Sequence, residues 1–169
     1  SSSASLSFNS TYINSDYLIY KFEFINIHPS ADFYDFSFNL STDNGSNYNV
    51  TKTTTAFNAG HNEAGSASNL SYDTARDLAQ STSNQVIATN IGNDADQSCS
   101  GTLTLFNPSS TTFVKHFISN IDSYEADNRT RIMYTAGYGN TTSAINAIRF
   151  QMGSGNIDAG QIKLYGLGS

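Results

Sequence analysis

Cysteine occurs once in the 169 residues, at Cys99, so the chain can form no internal disulfide and no multi-cysteine zinc site. Cys99 reads as a small buried hydrophobe. Tryptophan is absent and proline occurs twice. Charge is scarce: eight basic and fourteen acidic residues make up 13% of the chain, which excludes a coiled coil or long-helix protein. Net charge is −6 at pH 7, a field that repels phosphate backbones and anionic lipid, so no nucleic-acid partner is expected. No run approaches the roughly 20 apolar residues of a membrane span, and Ser1-Ser2-Ser3-Ala4-Ser5 lacks the parts of a signal peptide. A soluble chain without membrane insertion is expected; the absent initiator Met suggests trimming or a preceding portion.

What the sequence does have is aromatic residues and short polar ones. Eleven Phe and ten Tyr supply large faces to bury, while Ser, Thr and Asn make up about a third of the chain. A chain of this length buries about 70% of its unfolded surface, enough for one domain spanning residues 1–169. In Tyr17 to Ile25, Leu18, Tyr20, Phe22 and Phe24 alternate with Ile19, Lys21 and Glu23, the period of a half-buried strand. After a break at Asn26 to Ser30, Phe33 to Leu40 repeats it, with Tyr34, Phe36, Phe38 and Leu40 opposite Asp35, Ser37 and Asn39. The Asn44-Gly45 pair tolerates positive φ, so this strand and Tyr48 to Phe57 are predicted to form a hairpin. Further strands are predicted at Ser5 to Phe8, Gln85 to Ala88, Gly101 to Phe106, Thr112 to Ser119, Arg131 to Thr135, Ala144 to Met152 and Gln161 to Leu164. A short helix could form at Asp73 to Gln80, within a small, polar excursion from Asn58 to Asn84. Eight to ten short strands with almost no helical periodicity predict an all-β fold, an antiparallel β-sandwich, jelly-roll-like.

The familiar reactive constellations are incomplete. Around Ser154 a nucleophile elbow would need glycine at position 152, where Met152 stands, so Gly153-Ser154-Gly155 reads as a turn. Gly137-Tyr138-Gly139 opens a dinucleotide-like pattern that ends at Thr142, and reads as a tight loop. His28, His61 and His116 show no ligand spacing. Asp94-Ala95-Asp96 could offer a loose calcium site, but an EF-hand register would put Cys99 at its glycine and Leu105 at its final Glu; a solvated loop is the simpler reading. With three Glu in the chain, a paired-carboxylate glycosidase site would need Asp partners that spacing does not reveal. No catalytic, cofactor or metal residues are assigned. Asn-x-Ser/Thr acceptors at Asn9, Asn39, Asn44, Asn49, Asn69, Asn128 and Asn140 follow from composition and do not argue for secretion. Tyr138, Asn140 and Thr141 make one candidate glycan or interface contact, since an aromatic face stacks on a pyranose while amides bond its hydroxyls. The competing reading makes such tyrosines half-buried sheet or subunit-interface residues.

The whole chain resembles a family of small β-rich virion structural proteins of tailed bacteriophages, especially marine and cyanobacterial phages. The resemblance rests on Ser5-Leu6-Ser7-Phe8 with the strand to Ile27; Ser46-Asn47-Tyr48-Asn49-Val50-Thr51-Lys52-Thr53-Thr54-Thr55; Asp77-Leu78-Ala79-Gln80-Ser81-Thr82; Gly101-Thr102-Leu103-Thr104-Leu105-Phe106-Asn107-Pro108; and Thr135-Ala136-Gly137-Tyr138. Its most specific part is the ending, Phe150-Gln151-Met152 through Gly155-Asn156-Ile157 to Ile162-Lys163-Leu164-Tyr165-Gly166. It implies a non-enzymatic tail-fibre, receptor-binding or head-decoration subunit at the surface of an extracellular particle, assembled in the host cytoplasm and touching other virion proteins. It carries no catalytic motif and no cofactor. Composition fits this independently, because a low-lysine, aromatic β-domain is stable outside cells without disulfides. Symmetric assembly could bury sheet edges and spare tyrosines, so a homotrimer is expected. The alternative is an adhesin module recognising a host surface glycan.

Overall fold

The computed structural model describes residues 2–168. Its strands are β1 (Ser5–Phe8), β2 (Ile19–Pro29), β3 (Tyr34–Ser41), β4 (Lys52–Asn62), β5 (Ser68–Tyr72), β6 (Gln85–Ile91), β7 (Cys99–Phe106), β8 (Lys115–Glu125), β9 (Arg129–Gly139), β10 (Ala147–Met152) and β11 (Ile157–Leu167). Every pairing is antiparallel. One layer runs β1-β10-β3-β6 and the other β11-β2-β7-β8-β9-β4-β5; the pair Ile91↔Glu125 joins them between β6 and β8, and the isolated bridge Ser3↔Ile157 joins the segment before β1 to β11. The result is an antiparallel β-sandwich. Four pairs are nested in chain order, β1 with β10, β2 with β7, β3 with β6 and β4 with β5, while β8 and β9 are inserted after β7 and β11 is added outside β2.

Period-two alternation sends Tyr20, Phe22 and Phe24 of β2 inward, where they meet Phe36, Phe38 and Leu40 of β3 and Ile148, Phe150 and Met152 of β10. Phe150 is the hub. Its ring centroid lies 5.1 Å from Phe22 and Phe24, 6.0 Å from Phe36, 6.2 Å from Phe8 and 6.4 Å from Phe38. Phe38 in turn meets Phe117 of β8 at 5.0 Å, so the aromatic cluster ties the layers together. Each such ring contributes about 3–4 kcal/mol by leaving water.

The interior changes character beneath β4 and β9. Lys52 Nζ donates to Asn39 Oδ1 (2.6 Å) and to the Val50 carbonyl (2.8 Å), and Thr54 Oγ1 donates to Gln85 Oε1 at 2.7 Å. Glu125, buried, accepts from Thr89 Oγ1 and from Arg131 Nε at 2.7 Å, while Arg131 Nη1 reaches Asn58 Oδ1. Burial lowers the Lys52 ammonium to about 8. Beneath β4 and β9 hydrogen-bonded polar groups thus share the interior with Val50, Ala56 and Met133, while the Thr135 hydroxyl is buried without a partner.

Several local expectations need correction. Leu18 precedes β2 and is 52% exposed instead of facing inward; beyond the strand end, Tyr17 packs on Tyr20, whose hydroxyl donates to Asn14 Oδ1. Asn26 does not end its strand but makes a bulge at φ 50°, opposite Gly160 at φ 105°, where a Cβ would lie 2.5 Å from the Asn26 carbonyl oxygen. Asn44 and Gly45 do take positive φ, yet β3 and β4 do not pair. Ser41 Oγ accepts from the Gly45 N–H and Asp43 from the Asn47 N–H, and this side-chain bonding carries the chain across to the other layer. Asp73 to Gln80 holds a single turn, not a helix, because the Leu78 N–H and carbonyl are both taken by Thr54. The polar excursion contains the end of β4 and all of β5, and Gly137-Tyr138-Gly139 lies inside β9 rather than in a loop.

Candidate functional site

The sheet half that buries several polar side chains exposes an apolar cluster on its outer side. On β4, Lys52, Thr54 and Asn58 point in while Phe57 is exposed; on β9, Arg131 and Thr135 face in while Ile132, Tyr134 and Tyr138 lie on the opposite side. Register aligns Tyr72, Phe57, Tyr134 and Asn120 in one row across β5, β4, β9 and β8, flanked by rows Leu70–Ala59–Ile132–Asp122 and Thr55–Ala136–Ile118. Phe57 and Tyr134 stack with centroids 4.9 Å apart and planes 10° apart. Leu70 is 77% exposed and Ile118 55%. Among the described residues, Asp122 is the one formal charge at the outward positions of these four strands. A depression of about 540 Å³ lies on this face, bounded by Thr53, Thr55, His116, Ile118, Ala136 and Tyr138. Gly137 lets β9 and β4 close beside it, since a Cβ there would lie 2.4 Å from the Thr53 carbonyl oxygen.

Of the three residues singled out in the sequence, only Tyr138 belongs to this depression, its ring edge-on to His116 at 6.0 Å. Asn140 turns away: its side-chain amide donates to Gln80 Oε1 at 2.8 Å. The Thr141 carbonyl accepts from buried Lys115 Nζ at 3.2 Å. The three therefore do not converge on one ligand. Tyr134 is 38% exposed, whereas Tyr124 is half-buried and donates to Glu63 Oε1. Sequence reading missed Phe57, Leu70, Tyr72, Ile118 and Tyr134 as a group. The usable signal was the shared parity of Ile132, Tyr134, Ala136 and Tyr138 opposite Arg131 and Thr135.

The other chemistry-bearing residues are occupied elsewhere. His28 Nδ1 lies 2.6 Å from Asp158 Oδ1 and its Nε2 lies 3.2 Å from the Asp94 carbonyl oxygen, so both ring nitrogens are engaged. Burial lowers the affinity of this imidazole for a proton, but the Asp158 and backbone-carbonyl bonds outweigh it and raise the pKa above the ordinary value. The Asp94–Asp96 loop borders a depression of about 520 Å³ beside His28. Among the described residues no three His, Cys, Asp or Glu side chains gather as metal ligands would. Cys99 is buried, and burial followed by the Asp122 charge pushes its thiol well above the usual range, away from thiolate reactivity. No protein-family model, curated protein or solved structure matches the chain.

Proposed function

We propose that the chain is a non-enzymatic structural subunit of a bacteriophage particle, a tail-fibre, appendage or head-decoration protein that assembles as a homotrimer and contacts other virion proteins. The observation that carries this reading is the sheet half with a hydrogen-bonded inner side and an apolar outer side, which suits association better than turnover. The nested pairs β1·β10, β2·β7, β3·β6 and β4·β5 support reading the sandwich as a jelly roll enlarged by the β8–β9 insertion, an architecture used by viral capsid and lectin domains. The resemblance to small phage virion proteins points the same way. Mass spectrometry and immunogold labelling of purified particles test it: the protein should be present at a fixed copy number, and its absence would defeat the assignment. A second reading, recognition of a host surface glycan, is favoured by the depression that Tyr138 and His116 line beside threonine hydroxyls. Glycan-array binding lost in Tyr138→Ala would support it; no binding by the assembled wild type would reject it.

A further inference from the structure

We propose that the outer face of β8, β9, β4 and β5 is the interface between copies of this chain, set against a rotation axis so that each copy meets the same face of its neighbours. The proposal rests on the self-assembly reading above and names the surface that does it. The first ground is the inversion itself. A sheet in a monomeric sandwich alternates apolar-in and polar-out, whereas here β4 and β9 place Lys52, Thr54, Asn58 and Arg131 beside Ala56 and Met133 on the inside, β8 buries Phe117 and Ile121, and Phe57, Leu70, Tyr72, Ile118 and Tyr134 still lie outside. A second apolar layer on the outside would restore the ordinary pattern.

Area is the second ground. Phe57 (43% exposed), Leu70 (77%), Tyr72 (53%), Ile118 (55%) and Tyr134 (38%) together expose roughly 500 Å², taking about 200 Å² for a fully exposed large side chain. That lies within the range of the largest patch on an ordinary monomer before their neighbours are counted. Four strands about 4.8 Å apart and up to eleven residues long give a face of some 650 Å² in projection, which a trimer divides between two neighbours and which, taken whole, compares with the ~800 Å² per partner of a standard interface.

Charge permits a second copy at the centre of the face. The chain carries −6, so two copies approach at low cost only through a surface whose centre is neutral; the Phe57, Tyr134, Ile118 and Leu70 positions carry no charge, and the acids Asp122, Asp77 (bonded to Tyr72) and Glu63 (bonded to Tyr124) lie around them. Residues close to a rotation axis meet their own symmetry mates, which forbids charge there and tolerates a stacked pair such as Phe57 and Tyr134. The adjoining edge strand is also unprotected: β5 reads Ser-Asn-Leu-Ser-Tyr, with no charge and no proline, whereas edge strand β11 carries Lys163 and an irregular register.

The test is sedimentation equilibrium of the wild-type chain and of Leu70→Asp and Tyr134→Asp across micromolar concentrations, with Leu167→Asp, an exposed apolar residue on β11, as control. The wild type and the control should be oligomeric, and both face variants should dissociate at least about a hundredfold more readily while keeping the wild-type circular dichroism. Tyr134→Cys adds a measurement that does not depend on weakened folding: mild oxidation should link copies through the new thiol, Cys99 being buried. An oligomer that persists unchanged in both face variants and does not cross-link would overturn this surface while leaving self-assembly intact. A monomeric wild type would overturn both.

Discussion

Replacing Phe150 with alanine puts the largest single load on the aromatic cluster that joins the two layers. The ring is fully buried and lies within 6.4 Å of five other phenylalanines, Phe8, Phe22, Phe24, Phe36 and Phe38. Removing it withdraws roughly 150 Å² of apolar side chain, about 4 kcal/mol of transfer free energy. Neighbours on rigid strands of both layers cannot collapse into the hole, so the loss should fall at the upper end of the 3–5 kcal/mol typical of Phe→Ala. Lost edge-on ring contacts act in the same direction but are already part of that range. Against a domain stability of about 5–15 kcal/mol, the variant would fold marginally. Urea unfolding followed by far-ultraviolet circular dichroism, with Phe150→Leu as a control costing roughly a third as much, reads the difference directly. A loss below about 2 kcal/mol would mean that the layers are not held together at this ring.

Three further outcomes follow from charges withdrawn wholly or partly from water. Lys52, lowered to about 8 by burial, binds fewer protons folded than unfolded between pH 8 and about 10.5, so stability should rise with pH across that window, by about 3 kcal/mol at most, and Lys52→Met should remove most of the rise. An unchanged slope in the variant would refute the assignment. His28 behaves oppositely: its raised pKa means its contribution is complete below about pH 6.5 and is lost as pH climbs through the folded-state value, so Asp158→Asn should flatten that part of a melting profile. A His28 resonance titrating below 6.5 would contradict it. Arg131→Met leaves Glu125 buried without its guanidinium partner and should cost about 3–5 kcal/mol in urea unfolding; a near-neutral result would place water against that carboxylate.

The apolar half of the fold was legible because period two speaks clearly where alternating residues are large and their opposites are charged or small. Tyr20, Phe22, Phe24, Phe36, Phe38 and Leu40 all point inward as their alternation requires. The strands around them were found too, most within a few residues of their ends. Turns were legible only in part. Five of the seven non-glycine residues at positive φ are asparagines, so where the chain takes a left-handed corner without glycine it uses asparagine. Which corner makes a hairpin and which a crossing is decided by side-chain bonds at Ser41 and Asp43 and by strands far away in sequence. Strand β5 escaped because all its residues are exposed and it is held by its ladder with β4 rather than by burial.

The outer face was hidden for a related reason. Reading alternation assigns the apolar parity of each strand to the core, and for β2, β3 and β10 that assignment holds because each faces the opposite layer across Phe150. Applied to β9 it points the wrong way, since Ile132, Tyr134 and Tyr138 are the apolar parity and face outward. What fixes the inward side of β9 is pairwise: Arg131 must reach Glu125 on β8 and Asn58 on β4. Leaving the arginine outside would strand Glu125 in the interior, at a cost larger than the burial of one tyrosine ring repays. The parity of this strand is thus set by a charge pair separated by six residues. The exposed tyrosines are its consequence.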